Sequence, residues 1–259
     1  MMKPAEILAA MIHSGEEKVS RPLYEKAILG FVGGAMISLG YLLYIRSIAS
    51  VAESLGSLAS LIGASVFPIG LIVIIMGGGE LVTSNMAAVA TSLFAKKINI
   101  GQLIANWIVI TIFNIIGAIC VAYFFGHVVG LTHVGVYQHE ILTVANAKLS
   151  AGPLATFISG IGCNWFVGAA VWMAYGAKDA AGKLLAIWFP IMAFVAIGFQ
   201  HSIANAFAIP AAIFEGGTTW LRFWQNFGLV YLGNIVGGAI FLAAFYYISY
   251  KRQMKELSL

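Results

Sequence analysis

Charge is what this sequence has least of. Of 259 residues, 14 are Lys or Arg and 10 are Asp or Glu, so 9% are charged. A water-soluble domain carries about 25%. With 61% of its residues hydrophobic, the chain cannot cover a globule in solvated side chains, and it is an integral membrane protein. The formal excess of +4 is too small and too scattered to mark a nucleic-acid surface, so nucleic acid is not an expected partner. Cysteine is almost missing. Cys120 and Cys163 both fall inside apolar runs, which excludes a disulfide-stapled scaffold and any thiolate cluster. With histidines scattered as well, no metal or other cofactor is expected. The run Gly77-Gly78-Gly79 precedes no Lys and lies inside an apolar segment, so it is not a phosphate loop. No nucleophile–base pair is visible either, and the chain does not read as an enzyme. The first 26 residues lack an apolar core followed by a small-residue cleavage site, so no cleavable signal peptide is expected.

What the chain has in quantity is long apolar runs. A window of about 20 residues gives six spanning regions: 27–49, 58–95, 101–125, 152–177, 184–214 and 223–249. The second and fifth are too long for one straight helix, and each contains a polar interruption. In the second it is Gly77-Gly78-Gly79-Glu80-Leu81-Val82-Thr83-Ser84-Asn85; in the fifth it is Gly198-Phe199-Gln200-His201-Ser202-Ile203-Ala204-Asn205. A polar, titratable break in a spanning segment costs several kcal/mol unless it faces a cavity or other protein. Each region therefore reads as two half-helices meeting at a break. With both ends placed in the cytoplasm, the inner segments hold 11 Lys and Arg and the outer ones hold 3: Arg46, Lys148 and Arg222. That asymmetry orients the chain. The expected organisation is a cytoplasmic segment 1–26, a transmembrane domain 27–249 and a cytoplasmic tail 250–259. Residues 4–19 fit either a short amphipathic helix, with Ile7, Leu8, Met11 and Ile12 on one face, or a mobile tail.

The halves are related. Glu80 and Gln200 stand 120 positions apart, as do Asn85 and Asn205, and Asn114 and Asn234. Three spans per half make the halves opposite in orientation, so the fold class expected is all-α, a 3+3 inverted repeat with broken helices in corresponding places.

His201 is the leading functional candidate, because an ionisable group inside a span marks a transport pathway by default. Glu80 fits the cap of the half-helix that follows it better than a pore lining. Thr83 has a hydroxyl able to bond His201 or a passing oxyanion. Asn164 either faces the pore or bonds a neighbouring helix; Asn205, Asn114 and Asn234 read as helix pins. Lys148 either draws anions to a mouth or anchors at the interface. His127, His133 and His139 read as surface residues of an outer loop.

These residues together resemble the formate/nitrite transporter family, which includes formate, nitrite and hydrosulfide channels. The resemblance rests on the segment around His201, on Gly233-Asn234-Ile235-Val236-Gly237-Gly238, on Gly79-Glu80-Leu81-Val82-Thr83-Ser84, and on Asn164 with Val171-Trp172-Met173. It implies an aquaporin-like six-helix fold, a homopentamer in the lipid of a prokaryotic cell membrane, and one pore per protomer. It makes His201 the central pore histidine, Thr83 its partner, Asn164 a pore residue beside them and Lys148 the vestibule lysine. Phe67 and Phe194 then form one constriction, and Leu71, Leu81 and Val167 the other. Gln200 stands where many relatives have Glu, and Val82 where formate channels often have Phe. The implied activity is passage of a small monovalent anion, formate foremost, as or with a proton. Nitrite, hydrosulfide or a neutral solute such as water or ammonia are the alternatives.

Overall fold

A computed structural model describes residues 1–257, and among them the chain is helices and connecting turns with no strand. In chain order the elements are α1 (Pro4–Ser20), α2 (Leu23–Ile48), α3 (Ser57–Gly77), α4 (Val82–Phe94), α5 (Ile100–Val128), α6 (Gly135–Ser150), α7 (Pro153–Gly176), α8 (Ala180–Ile197), α9 (Ser202–Phe214) and α10 (Trp220–Glu256). Six of these, α2, α3, α5, α7, α8 and α10, are long and apolar enough to cross a membrane. The two expected breaks fall where the polar text placed them, between α3 and α4 and between α8 and α9. The pieces are unequal, however. α3 with 21 residues and α8 with 18 are each long enough to cross alone, at about 1.5 Å per residue, while α4 and α9 have 13 residues each.

The breaks are built from backbone that only glycine adopts easily. Gly78 turns the chain at φ 99° and Gly198 at φ 89°. Gly198 also ends α8 by donating its N–H to the Phe194 carbonyl. The short helices then begin in the middle of the protein. Every residue from Val82 to Ser92 and from Ser202 to Ala212 is buried. Such a helix must be small and apolar all round, which accounts for Ala87, Ala88, Ala90, Ala204, Ala206 and Ala208.

A helix that starts in hydrocarbon leaves N–H groups with no water to bond. Two asparagines answer this. Asn114 on α5 accepts from Val82 N–H at 2.9 Å and donates to the carbonyls of Gly30 and Glu80 at 2.6 and 2.8 Å. Asn234 on α10 accepts from Ser202 N–H at 2.9 Å and donates to the carbonyls of Gly160 and Gln200 at 2.8 and 3.2 Å. Each amide thus ties together a long helix, a break and the helix crossing behind it. The crossings are close: a Cβ on Gly34 would collide with the backbone carbonyl oxygen of Asn114, and one on Gly237 with that of Ile161.

The repeat extends to ten elements. α1 to α5 correspond to α6 to α10. The pairs Asn114/Asn234 and Asn85/Asn205 keep the 120-residue offset, but Gly30/Gly160 are 130 apart. The difference lies in the longer α2, α3 and the connection between them, which includes an extra helical turn, Ala52–Leu55. Residues 4–19 lie in α1. It is helical, begun by Pro4 and by a 2.6 Å bond from Lys3 N–H to Glu6. Its apolar face packs on protein, with Ile7, Leu8 and Met11 against Ala87, Val171, Trp172 and Leu242. Tyr246 and Tyr250 of α10 join the same cluster, so the two terminal helices share one face.

Replacing Asn234 by Leu removes three hydrogen bonds and orphans Ser202 N–H in the interior. The expected cost is about 2–4 kcal/mol, read as a lower melting temperature of the detergent-solubilised protein. An unchanged melting temperature would show that the break does not depend on this pin.

Candidate pore and its polar centre

The two breaks meet. His201, the residue before α9, and Thr83, in the first turn of α4, are joined by a 2.8 Å hydrogen bond between Nε2 and Oγ1. The other ring nitrogen is also engaged, because Nδ1 accepts the backbone N–H of Ala204 at 3.0 Å and so caps α9. An acceptor at Nδ1 fixes the neutral tautomer with its proton on Nε2. Nε2–H therefore donates to the Thr83 oxygen, and the Thr83 hydroxyl proton remains free for a third group.

Apolar side chains flank this pair. Phe194 stacks on the His201 ring at 6.1 Å, and Phe67 meets Phe194 edge-on at 6.0 Å. Ile37, Phe67, Leu71, Leu81, Val167, Ile191, Phe194 and His201 enclose a void of about 10 Å³, room for about one water. Phe67, Phe194, Leu71, Leu81 and Val167 are thus brought together around His201. Val82 follows Leu81 in sequence but does not line this void, and its N–H goes to Asn114.

A larger cavity opens on each side. On the face away from the termini, a cavity of about 530 Å³ is lined by Lys148, Phe67, Phe194, Gln200, His201 and Asn205 among others. Lys148 closes the last turn of α6, half-buried, with Nζ donating to the carbonyls of Gly198 and Phe199 at 3.3 and 3.4 Å. No carboxylate pairs with it among the described residues. Removal from water pushes its pKa below the usual lysine range. On the terminal face, a cavity of about 210 Å³ is lined by Ser14, Lys18, Arg21, Glu80, Ser84 and Lys183 among others. Three cations against one carboxylate leave this mouth positive as well.

Glu80 differs from the expectation of a helix cap. The N–H groups that open α4 look elsewhere, with Val82 N–H bonded to Asn114. The Glu80 carboxylate instead receives Lys18 Nζ at 2.9 Å on both oxygens, Arg21 at 3.1 Å and Asn85 at 2.7 Å. Gln200 occupies the corresponding place in the second half. It accepts from Asn205 and Asn226 at 2.8 and 3.0 Å and donates to the Lys148 carbonyl at 3.3 Å. Asn106 and Asn226 complete the two networks by donating to the carbonyls of Lys18 and Lys148. Asn164, fully buried, donates to the carbonyls of Thr83 and Asn234 at 3.2 and 2.7 Å. Its amide therefore bonds neighbouring elements, and its own carbonyl oxygen has no partner.

Sequence reasoning passed over Lys18, Arg21, Asn106 and Asn226. Asn106 and Asn226 carried a signal, since they too are 120 apart. Lys18 and Lys148 are 130 apart, and the single offset hid them.

The chain matches the family model for formate/nitrite transporters over residues 5–248. It belongs to that family. Its relatives are transporters, not enzymes. It is similar to an uncharacterised transporter, YrhG, of Bacillus subtilis (strain 168), with 52% identity over 99% of this chain and 98% of that one. It is similar to a formate channel, BtFdhC, of Bacillus thuringiensis, with 47% identity over 98% of each chain. Among solved structures, a pentameric formate channel with formate bound superposes with a TM-score of 0.78 at 27% identity, covering 88% of this chain and 97% of that one.

The lowered pKa of Lys148 sets a pH dependence for any anion entering there. Its charge is present below the folded pKa and is lost as pH rises through it, earlier than for an ordinary lysine near about 10.4. The apparent KM of an anion that enters by this cavity should rise as the pH on that face becomes alkaline, and Lys148→Arg should flatten the rise. Identical profiles for the two proteins would contradict this.

Proposed function

We propose that the protein passes a small monovalent anion, formate foremost, across the cell membrane of a prokaryote, as or with a proton, with His201 and Thr83 as the polar step. The observation that carries this is the 2.8 Å His201–Thr83 bond enclosed by apolar side chains between two cation-bearing cavities. Lys148 on one side and Lys18, Arg21 and Lys183 on the other draw anions inward. A charged species cannot cheaply leave those cavities for an apolar collar, but its neutral acid can. Phe67 and Phe194 form the collar toward Lys148; Leu71, Leu81 and Val167 form it toward Glu80.

At the centre the substrate meets the free proton of the Thr83 hydroxyl, whose oxygen is already held by Nε2–H. In this arrangement His201 orients a donor. It becomes a proton source only once protonated on Nδ1, which requires release of the Ala204 N–H. Proton movement and a loosening of the first turn of α9 are therefore linked. Asn164 holds the Thr83 carbonyl in place, and Asn205 holds the Gln200 amide at the mouth. Gln200 in place of a carboxylate leaves Lys148 unneutralised, which favours anion capture on that face.

The termini, with 11 of the 14 Lys and Arg on their side, face the cytoplasm. The chain works as a homopentamer in lipid. Support comes from the pentameric relative and from an exposed apolar stripe on α5, Ile104, Ile108, Ile112 and Ile116, that needs lipid or a neighbouring protomer to cover it.

The test is formate uptake into proteoliposomes with and without an imposed proton gradient. Wild-type protein should accumulate formate when the gradient is present, and His201→Asn, which cannot carry the proton, should lose accumulation. Equal accumulation by both proteins would remove His201 from the mechanism.

A further inference from the structure

The pore uses none of the histidines on the face away from the termini, yet two of them are gathered onto one buried carboxylate. Glu215 follows the last turn of α9. Its side chain is wholly withdrawn from solvent, and its oxygens meet His127 Nδ1 at 3.1 Å and His133 Nδ1 at 2.5 Å. Among the described residues no Lys or Arg pairs with it. A buried carboxylate without a cation is costly, so this one has to be balanced by something the imidazoles carry or hold.

The backbone on both sides is prearranged for the encounter. His127 lies in the π-helical end of α5, Val121–Val128, and a local π segment often marks a functional position. The chain then reverses at Gly130, φ 86°. Hydrogen bonds from Leu131 N–H to the Phe125 carbonyl and from Thr132 N–H to the Gly126 carbonyl fold the loop back. His133 is thereby laid across His127, ring centroids 5.0 Å apart and planes at 81°. Opposite them, Gly216 at φ 76° and a bond from Gly217 N–H to the Ala212 carbonyl fix the end of α9 and with it Glu215. Tyr123 stacks on His127 at 5.9 Å.

We propose that His127, His133 and Glu215 form a site for one divalent transition-metal ion of the zinc class, on the face away from the termini. The donor set is two neutral imidazoles and one carboxylate, which suits Zn²⁺ and its neighbours rather than Mg²⁺ or Ca²⁺. All three ligand atoms lie within 4.8 Å of one another. Bonds of about 2.0–2.2 Å need only a small opening of the His133–Glu215 contact, and His133 sits on a half-exposed loop that can supply it. The exposed side of that ring leaves a fourth position for water. The ion would supply the positive charge that Glu215 lacks. It would also tie the loop after α5 to the end of α9, the helix whose other end is capped by His201.

The test uses the full-length, tag-free protein in detergent, stripped with chelator and titrated with Zn²⁺ alone by calorimetry. Wild type should take up one Zn²⁺ per chain and melt at a higher temperature once loaded. His133→Ala should bind Zn²⁺ at least about tenfold more weakly and gain less melting temperature on loading than wild type does. His139→Ala, on the same face but outside the cluster, should bind as wild type does. Co²⁺ in place of Zn²⁺ should give a low-coordinate visible spectrum that Glu215→Gln weakens or abolishes. No stoichiometric uptake by wild type, or equal affinity in His133→Ala, would overturn the proposal and leave the three residues as a hydrogen-bonded triad only.

Discussion

A helix that begins inside a membrane protein exposes backbone donors to a medium that offers them nothing. The rest of this structure depends on how that is met. Asn114 and Asn234 each turn their oxygen to the first N–H of a short helix and their amine to two carbonyls, one on the break and one on the helix behind it. Because both breaks are pinned, α4 and α9 can start in the interior, wholly buried and alanine-rich. Because both start there, Thr83 and His201 stand close enough to share a proton.

The same demand shapes His201 itself. One ring nitrogen caps α9, and the other reaches Thr83. The side chain that holds the second break together is also the one titratable group at the centre. The capping bond selects the tautomer, and the tautomer leaves the single hydroxyl hydrogen of Thr83 free of His201.

The six spans, both breaks and the relation between the halves were legible because each is local or periodic. Apolar runs, glycine clusters and the 120-residue spacing of Asn85/Asn205 and Asn114/Asn234 all survive reading in one dimension. The resemblance carried by the text around His201 and Asn234 pointed to the family that the whole-chain match then established. What stayed hidden was the partnering of distant polar groups. Lys18 reaches Glu80 from 62 positions away, and the histidines reach Glu215 from 82 and 88. In sequence Glu80 suggests a cap, because a carboxylate just before a helix usually is one. Asn114, already on that N–H, left it free to bind cations instead. The longer α2, α3 and the connection between them, which includes the extra turn Ala52–Leu55, shift the register between the halves by ten residues and conceal that α1 and α6, with Lys18 and Lys148, are repeats of each other.

The charge pattern follows from these pairings. Glu80 neutralises part of the cationic mouth near the termini, while Gln200 leaves Lys148 alone at the other. Both mouths stay positive, and between them lies an apolar collar with one polar step. If that step is a single unit made by the two halves, the most direct measurement is a double-mutant cycle on formate uptake with Thr83→Val, His201→Asn and the combined variant. Both substitutions break the same bond, so the combined variant should be no slower than the slower single one. Losses that multiply would contradict the central claim, because Thr83 and His201 would then act independently.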